Sequence, residues 1–182
     1  MLNWWTQQNV KGRHLWPGLN AANVGEKWGP DEIARQIKVM RTQPAARGEI
    51  FYHLRNLTDN RALTDAVRAE YAQTALVPAS PWLDSVPPDK PKLTVVENNR
   101  SSLGVRWETA GEAAWLWILQ YRTNEVWATE ILPASQTTRT FENSKPEMVA
   151  VSAVDRVGNV SSPATIQKTQ PVHVGKSMRF SN

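Results

Sequence analysis

The chain has 182 residues, of which 41% are hydrophobic and 21% charged, a composition typical of a globular protein in water. It contains no cysteine, which excludes disulfide bonds, thiolate zinc sites and cysteine nucleophiles. The net charge is +4 and the basic residues are scattered, so nucleic acid is not an expected partner. No apolar run approaches the ~18 residues of a membrane span, and the first residues lack the pattern of a secretory signal.

The first predicted strand is the short apolar run RHLWPGL at residues 13–19. A helix is predicted to begin at Pro30, because proline suits the first helical position and two acidic residues follow it in the first turn. Ile33, Ile37 and Met40 recur at helical spacing, so one face of this helix is expected to be buried.

The second predicted strand is EIFYHLRNL at residues 49–57, which is apolar on both alternating faces at its start. Such a strand is typical of a parallel sheet that helices cover on both sides. Asn60 is expected to cap a second helix from Arg61 to about Thr74. The order strand, helix, strand, helix is the βα arrangement of a barrel or a doubly wound sheet.

The second half of the chain has a different pattern, which begins after five prolines between residues 78 and 91. These prolines predict a linker of limited flexibility. Beyond Lys92, short apolar runs are separated by turn residues, and Leu103, Val105 and Trp107 alternate with residues expected to face outward. The pattern predicts a β-sandwich of about seven strands. The predicted boundaries are a first domain at 1–84, a linker at 85–91, a sandwich at 92–168 and a flexible tail at 169–182.

Residues 12–41 followed by 48–57 resemble the last two βα units of the glycosyl-hydrolase-like family ten proteins. The resemblance covers roughly residues 1–84 and is carried by Trp16-Pro17-Gly18 near a strand end and by the helix start Trp28-Gly29-Pro30-Asp31-Glu32-Ile33. It implies a bacterial protein with a TIM-barrel domain like that of glycoside hydrolases, located in the periplasm or cell envelope, whose substrate is cell-wall glycan.

Residues 90–168 resemble a fibronectin type III domain. Trp107 stands where that fold carries an early core tryptophan, LQYR matches its third strand, and VSAVDRVGNVSSPA at 151–164 matches its last hairpin. The chain departs from the fold in having no tyrosine after Tyr121. The predicted fold class is therefore α/β plus all-β: the C-terminal two βα units of a (β/α)8 barrel, joined by the proline-rich linker to a fibronectin type III-like sandwich.

The barrel resemblance implies that substrate binds in the loops that follow the strands. Amides can hydrogen-bond sugar hydroxyls and indole faces can stack on a pyranose. The expected substrate-binding residues are Trp16, Asn20, Asn23, Trp28, His53, Arg55 and Asn56.

Each of these residues also has an ordinary structural interpretation. Trp16 suits core packing, and Trp28 suits a hydrophobic staple ahead of the helix. Asn20 and Asn23 are common loop residues that bond their own backbone, and His53 suits a core position.

No catalytic residue is assigned, because glycoside hydrolysis needs two carboxyl groups ~5–10 Å apart. Asp31 and Glu32 are explained by the helix start, Glu49 begins a strand, and only Asp59 is expected near the binding face. We therefore expect a C-terminal fragment of a glycosidase that binds its glycan through the complete barrel and is inactive alone.

The three histidines lack the spacing of metal ligands, so neither a metal nor a cofactor is expected. The alternative interpretation is a non-catalytic carbohydrate- or protein-binding or structural module. Trp115 or Trp127 is expected to be exposed, or to pack against the first half. The oligomeric state is left open.

Overall fold

The computed structural model describes residues 1–143 and 145–167. The predicted tail at 169–182, with His173, lies outside the described residues. The chain divides into two compact units, Met1–Ser80 and a second that begins at Pro81. Each unit has its own hydrophobic core.

The first unit contains four short helices and two strands, which α2 separates along the chain. β1 and β2 pair in parallel, with Leu19 opposite Phe51. The elements are α1 Leu2–Gln8, β1 Gly18–Asn20, a 3-10 turn Ala21–Asn23, α2 Asp31–Arg41, β2 Ile50–Tyr52, α3 Leu54–Asp59 and α4 Arg61–Glu70.

The core of this unit lies between the two-stranded sheet and the helices α2 and α4. Ile33 and Ile37 of α2 and Leu63 of α4 are fully buried, and they pack with Leu19 of β1. Burying each such side chain contributes about 1.5–3 kcal/mol. The predicted cap is confirmed, since Oδ1 of Asn60 accepts a hydrogen bond from the Leu63 N–H at 3.0 Å.

The predicted fold class is wrong. Among the described residues the chain is mostly β, with nine strands and four short α-helices, and two βα units of a (β/α)8 barrel are not evident. The sheet of the first unit has two strands of three residues each. Ile50 and Tyr52 are 55% and 67% exposed, so the sheet face that was expected to be covered is open.

Both predicted strands of the first unit are shorter than their apolar runs. Only Gly18 and Leu19 of residues 13–19 belong to β1; Pro17 has no N–H to donate, and Leu15 makes an isolated bridge to Ala46. In the second apolar run, residues 49–57, the strand ends at Tyr52 and α3 begins at Leu54.

The second unit is a sandwich of two antiparallel sheets, one of three strands in the order β3-β4-β7 and one of four in the order β6-β5-β8-β9. Trp107 of β4 and Trp117 of β5 meet edge to face at 6.4 Å in the core. The strands are β3 Lys92–Asn98, β4 Ser102–Glu108, β5 Leu116–Thr123, β6 Val126–Pro133, β7 Thr138–Glu142, β8 Met148–Val154 and β9 Ala164–Gln167.

Two turns show how polar residues shape this unit. Asn124 and Glu125 join β5 to β6 with φ values of 50° and 66°, the left-handed geometry of a tight two-residue hairpin. After β8, Oδ1 of Asp155 accepts hydrogen bonds from the N–H groups of Val157 and Asn159, both at 2.9 Å.

Among residues 1–143 and 145–167, no helix combines the length and the hydropathy that a membrane span needs.

Candidate functional site

The polar side chains of the first unit gather where β1 and β2 end. Asn20 and Tyr52 are register partners at the last positions of the two strands, and both are exposed. The His53 ring stands edge-on to that of Tyr52, with 5.4 Å between centroids and 80° between planes. Asn56 lies one helical turn beyond His53. We call Asn20, Tyr52, His53 and Asn56 the strand-end site.

The start of α3 fixes one side of the strand-end site. Oδ1 of Asn56 accepts a hydrogen bond from the His53 N–H at 3.3 Å, and the Asn56 N–H donates to the His53 carbonyl at 3.1 Å. This reciprocal pair resembles a capping box, in which the third helical residue bonds back to the residue ahead of the helix. It orients the backbone that carries the imidazole.

Arg55 lies on α3 and is engaged along that helix. Its Nε is 3.5 Å from Oδ2 of Asp59, and both side chains are largely exposed. An exposed pair of this kind contributes about 0–1 kcal/mol to stability. Asp59, the carboxylate expected near the binding face, therefore faces a guanidinium of its own helix.

Asn23 and Trp28 belong to the loop between β1 and α2. The Asn23 carbonyl accepts hydrogen bonds from the N–H groups of Lys27 at 2.9 Å and Trp28 at 3.0 Å. Trp28 is partly buried and packs against the core of the first unit. These contacts organise the loop that follows β1.

Trp16 lies at the other end of β1 and is 47% exposed. It lines a cavity of about 600 Å³ with Trp5 of α1 and with residues of α2. We call this cavity the tryptophan groove; its lining includes Trp5, Leu15, Trp16, Glu32, Arg35, Gln36, Val39 and Met40. The structure thus separates Trp16 from the strand-end site, because it precedes β1 whereas Asn20 ends it.

The chemistry of the strand-end site is hydrogen bonding. Two amides, a phenol and an imidazole can donate to and accept from hydroxyl groups, but no member of the site is a carboxylate. In the part of the chain that the structure describes, no group of three or more His, Asp or Glu residues could hold a metal ion.

Sequence reasoning missed two residues. Tyr52 was expected inside a covered sheet, yet it is exposed at the strand end; its position one residue ahead of His53 was the available signal. Trp5 is 53% exposed in the groove, and only the adjacent pair Trp4-Trp5 near the start of the chain pointed to it.

The second unit carries two surface tryptophans. Trp115 and Trp127 are 48% and 49% exposed, so both are exposed where one was expected. Cζ of Arg156 lies 4.4 Å from the centroid of the Trp115 ring, and Cζ of Arg122 lies 5.9 Å from that of Trp127. Each indole therefore has a cation close to one face.

Comparison with known proteins relates the chain to one curated protein. Over 110 residues it is 33% identical to the protein named glycosyl hydrolase YngK of Bacillus subtilis (strain 168), a match that covers 56% of this chain and 21% of that protein. The chain thus spans about a fifth of the length of this relative. No protein-family profile matches the chain.

Among solved structures, the chain is similar to one reported as a computer-based redesign of a β-sandwich protein. That similarity has a TM-score of 0.36 at 16% identity and covers 41% of this chain and 85% of the other. The match to the curated relative supports a glycosyl-hydrolase-like relationship over the 110 matched residues.

Proposed function

We propose that this chain is the C-terminal part of a glycoside hydrolase-related protein that acts on bacterial cell-wall glycan, and that it contacts the glycan without supplying the catalytic carboxylates. The observation that carries the proposal is the 33% identity with glycosyl hydrolase YngK over 110 residues. That match reaches a fifth of the relative's length, which supports a larger parent protein.

The groups at the strand-end site support a binding role. Asn20 and Tyr52 present an amide and a phenol side by side on an open sheet face, and His53 adds an imidazole beside them. Such groups can satisfy sugar hydroxyls, whereas hydrolysis requires two carboxyl groups on opposite sides of the bond. The carboxylates would have to come from other parts of the parent protein.

The proposal extends to a finer relationship. The residues Trp16-Pro17-Gly18 and 28–33 relate the first unit to the glycosyl-hydrolase-like family ten proteins, and Trp107 with the hairpin at 151–164 relates the second to fibronectin type III domains. The periplasm or cell envelope is then the expected location. This part of the proposal rests on sequence resemblance.

A co-sedimentation assay with purified insoluble cell-wall glycan tests the proposal. We expect the chain to sediment with the glycan and to release no new reducing ends. The double variant Asn20→Ala/Tyr52→Ala should bind the glycan more weakly than the unchanged chain, because it removes both strand-end partners. Tyr71→Ala is the matched control, since Tyr71 is also an exposed tyrosine of the first unit, 45% exposed, but lies after α4. Glycan hydrolysis by the purified chain, or unchanged binding by the double variant, would contradict the proposal.

The surface tryptophans of the second unit favour a second candidate, a protein- or carbohydrate-binding module. Tryptophan and arginine dominate the energetics of many protein interfaces, and Trp115 and Arg156 form such a pair at the surface. Under this alternative Trp115→Ala abolishes binding to the glycan or to a protein partner, and the strand-end variant binds normally.

A further inference from the structure

We propose that the tryptophan groove is a second saccharide site, distinct from the strand-end site, and that it takes neutral pyranose rings. The choice of a sugar as ligand rests on the proposed function. The evidence for a binding groove is the set of side chains that α1, β1 and α2 bring together.

The walls of the groove suit the apolar face of a sugar. Trp5 and Trp16 are 53% and 47% exposed, and both line the same concave surface. Indoles offer a large, rigid apolar face together with an N–H donor. The cavity volume of about 600 Å³ falls within the ~300–1,000 Å³ of small-molecule sites in proteins.

A polar row from α2 borders this apolar surface. Oε1 of Glu32 accepts a hydrogen bond from Nε2 of Gln36 at 2.9 Å, and Oε2 accepts one from Nη2 of Arg35 at 2.8 Å. Residues 32 and 36 are one helical turn apart, so both side chains reach the groove from the same face of α2. A pyranose ring has one apolar face and an edge of hydroxyl groups. Exposed indoles can contact that face, and the fixed polar row beside them can bind the hydroxyl groups.

Glu32 remains an acceptor over a wide pH range. The hydrogen bond from Gln36, and next the one from Arg35, lower the pKa of its carboxyl group. An ionised carboxylate has about four lone-pair sites, and Gln36 and the two N–H groups of Arg35 occupy three of them. The remaining site can accept a hydrogen bond from a sugar hydroxyl.

The charges at the groove favour a neutral sugar. The lining includes Glu32 and Arg35, whose charges cancel. The Arg35 guanidinium is also paired with Asp31, at 2.8 Å between Nη1 and Oδ2, so it is already engaged by two carboxylates. A uronate or another acidic sugar would therefore gain no net attraction from Glu32 and Arg35, and a neutral N-acetylhexosamine fits the groove better.

Isothermal titration of the full chain with the neutral trimer of N-acetylglucosamine tests the inference. Trp16→Ala and Trp5→Ala should each raise the dissociation constant of the trimer at the groove roughly tenfold, because each variant loses the indole surface. Trp4→Ala is the matched control, because Trp4 is 52% exposed and touches Trp5 at 4.9 Å but does not line the groove. Gln36→Ala, a polar change on the same helix, should also weaken binding, and the galacturonic acid trimer should bind more weakly than the neutral trimer.

The strand-end variant separates this inference from the proposed function. The Asn20→Ala/Tyr52→Ala variant should still bind the trimer at the groove. Adding Trp5→Ala or Trp16→Ala to that variant should then weaken this remaining binding. If the trimer binds but both tryptophan variants bind it as the unchanged chain does, the groove inference fails and the proposed function stands. If an apolar peptide of alternating valine and threonine saturates the groove and the trimer does not, the groove is a peptide site and the inference is wrong.

Discussion

Glu49 shows how one side chain makes stability depend on pH. Within the described residues its Oε1 is buried without a hydrogen-bond partner. Desolvation raises the pKa of this carboxyl, and the charge of Arg41 opposes that rise only in part. A carboxyl whose pKa is raised on folding destabilises the folded state once the pH rises above its unfolded value, because ionisation is harder in the folded protein.

Glu49→Gln should therefore stabilise the protein at neutral pH. The gain should shrink as the pH falls through the raised pKa, and it should vanish below the ordinary glutamate range, where both states are protonated. Urea denaturation at pH 7 and pH 3 measures the difference. An equal effect of the substitution at both pH values would show that packing, and not ionisation, controls this position.

Single residues also show what sequence could predict. The helical spacing of Ile33, Ile37 and Met40 predicted a buried face, and all three are buried. The capping role of Asn60 was predicted from its residue type and is confirmed. The exposure of Tyr52 was not predicted, because an aromatic residue in an apolar run has the same pattern whether its face of the sheet is covered or open.

Among the elements, the turn between β8 and β9 depends most on one side chain. Asp155 accepts two backbone hydrogen bonds through Oδ1, and its Oδ2 accepts a third from Nδ2 of Asn159 at 2.9 Å. Asn159 is buried, so loss of the carboxylate leaves buried donors without this partner.

Asp155→Ala should cost about 2–3 kcal/mol of unfolding free energy, since hydrogen bonds to charged groups contribute about 1.5–3 kcal/mol. Chemical denaturation followed by tryptophan fluorescence measures it. Glu108→Ala is the control in the same unit: its ion pair with Lys92 at 3.5 Å is exposed, and its removal should cost less than about 1 kcal/mol. Equal losses for the two variants would show that the Asp155 contacts do not hold this turn.

The elements of the two units were not equally predictable. The alternation of Leu103, Val105 and Trp107 predicted a strand with one face inward, and all three residues are buried in β4. In the first unit the apolar run at 49–57 was predicted as one strand, but α3 begins at Leu54. Hydrophobicity alone cannot show where a short strand ends and a helix begins. Here the start of α3 is marked by the hydrogen bonds between Asn56 and His53.

For the molecule as a whole, the predicted barrel units were the main error. A strand that is apolar on both faces is expected to be covered on both faces. In the structure one face of the β1–β2 pair packs on α2 and α4, and Ile50 and Tyr52 on the other face are exposed. The relationship to a glycosyl hydrolase is supported by the curated relative and does not depend on that assignment.

An NMR titration of the isotope-labelled chain with soluble cell-wall glycan strands tests whether the first unit binds the glycan. We predict saturable shifts of the Asn20 and Asn56 side-chain amides and of the Tyr52 backbone amide, while the indole signals of Trp115 and Trp127 stay unchanged and the glycan stays intact. Shifts confined to Trp115 and Trp127, or no shift at any glycan concentration, would contradict the claim that the first unit binds the glycan.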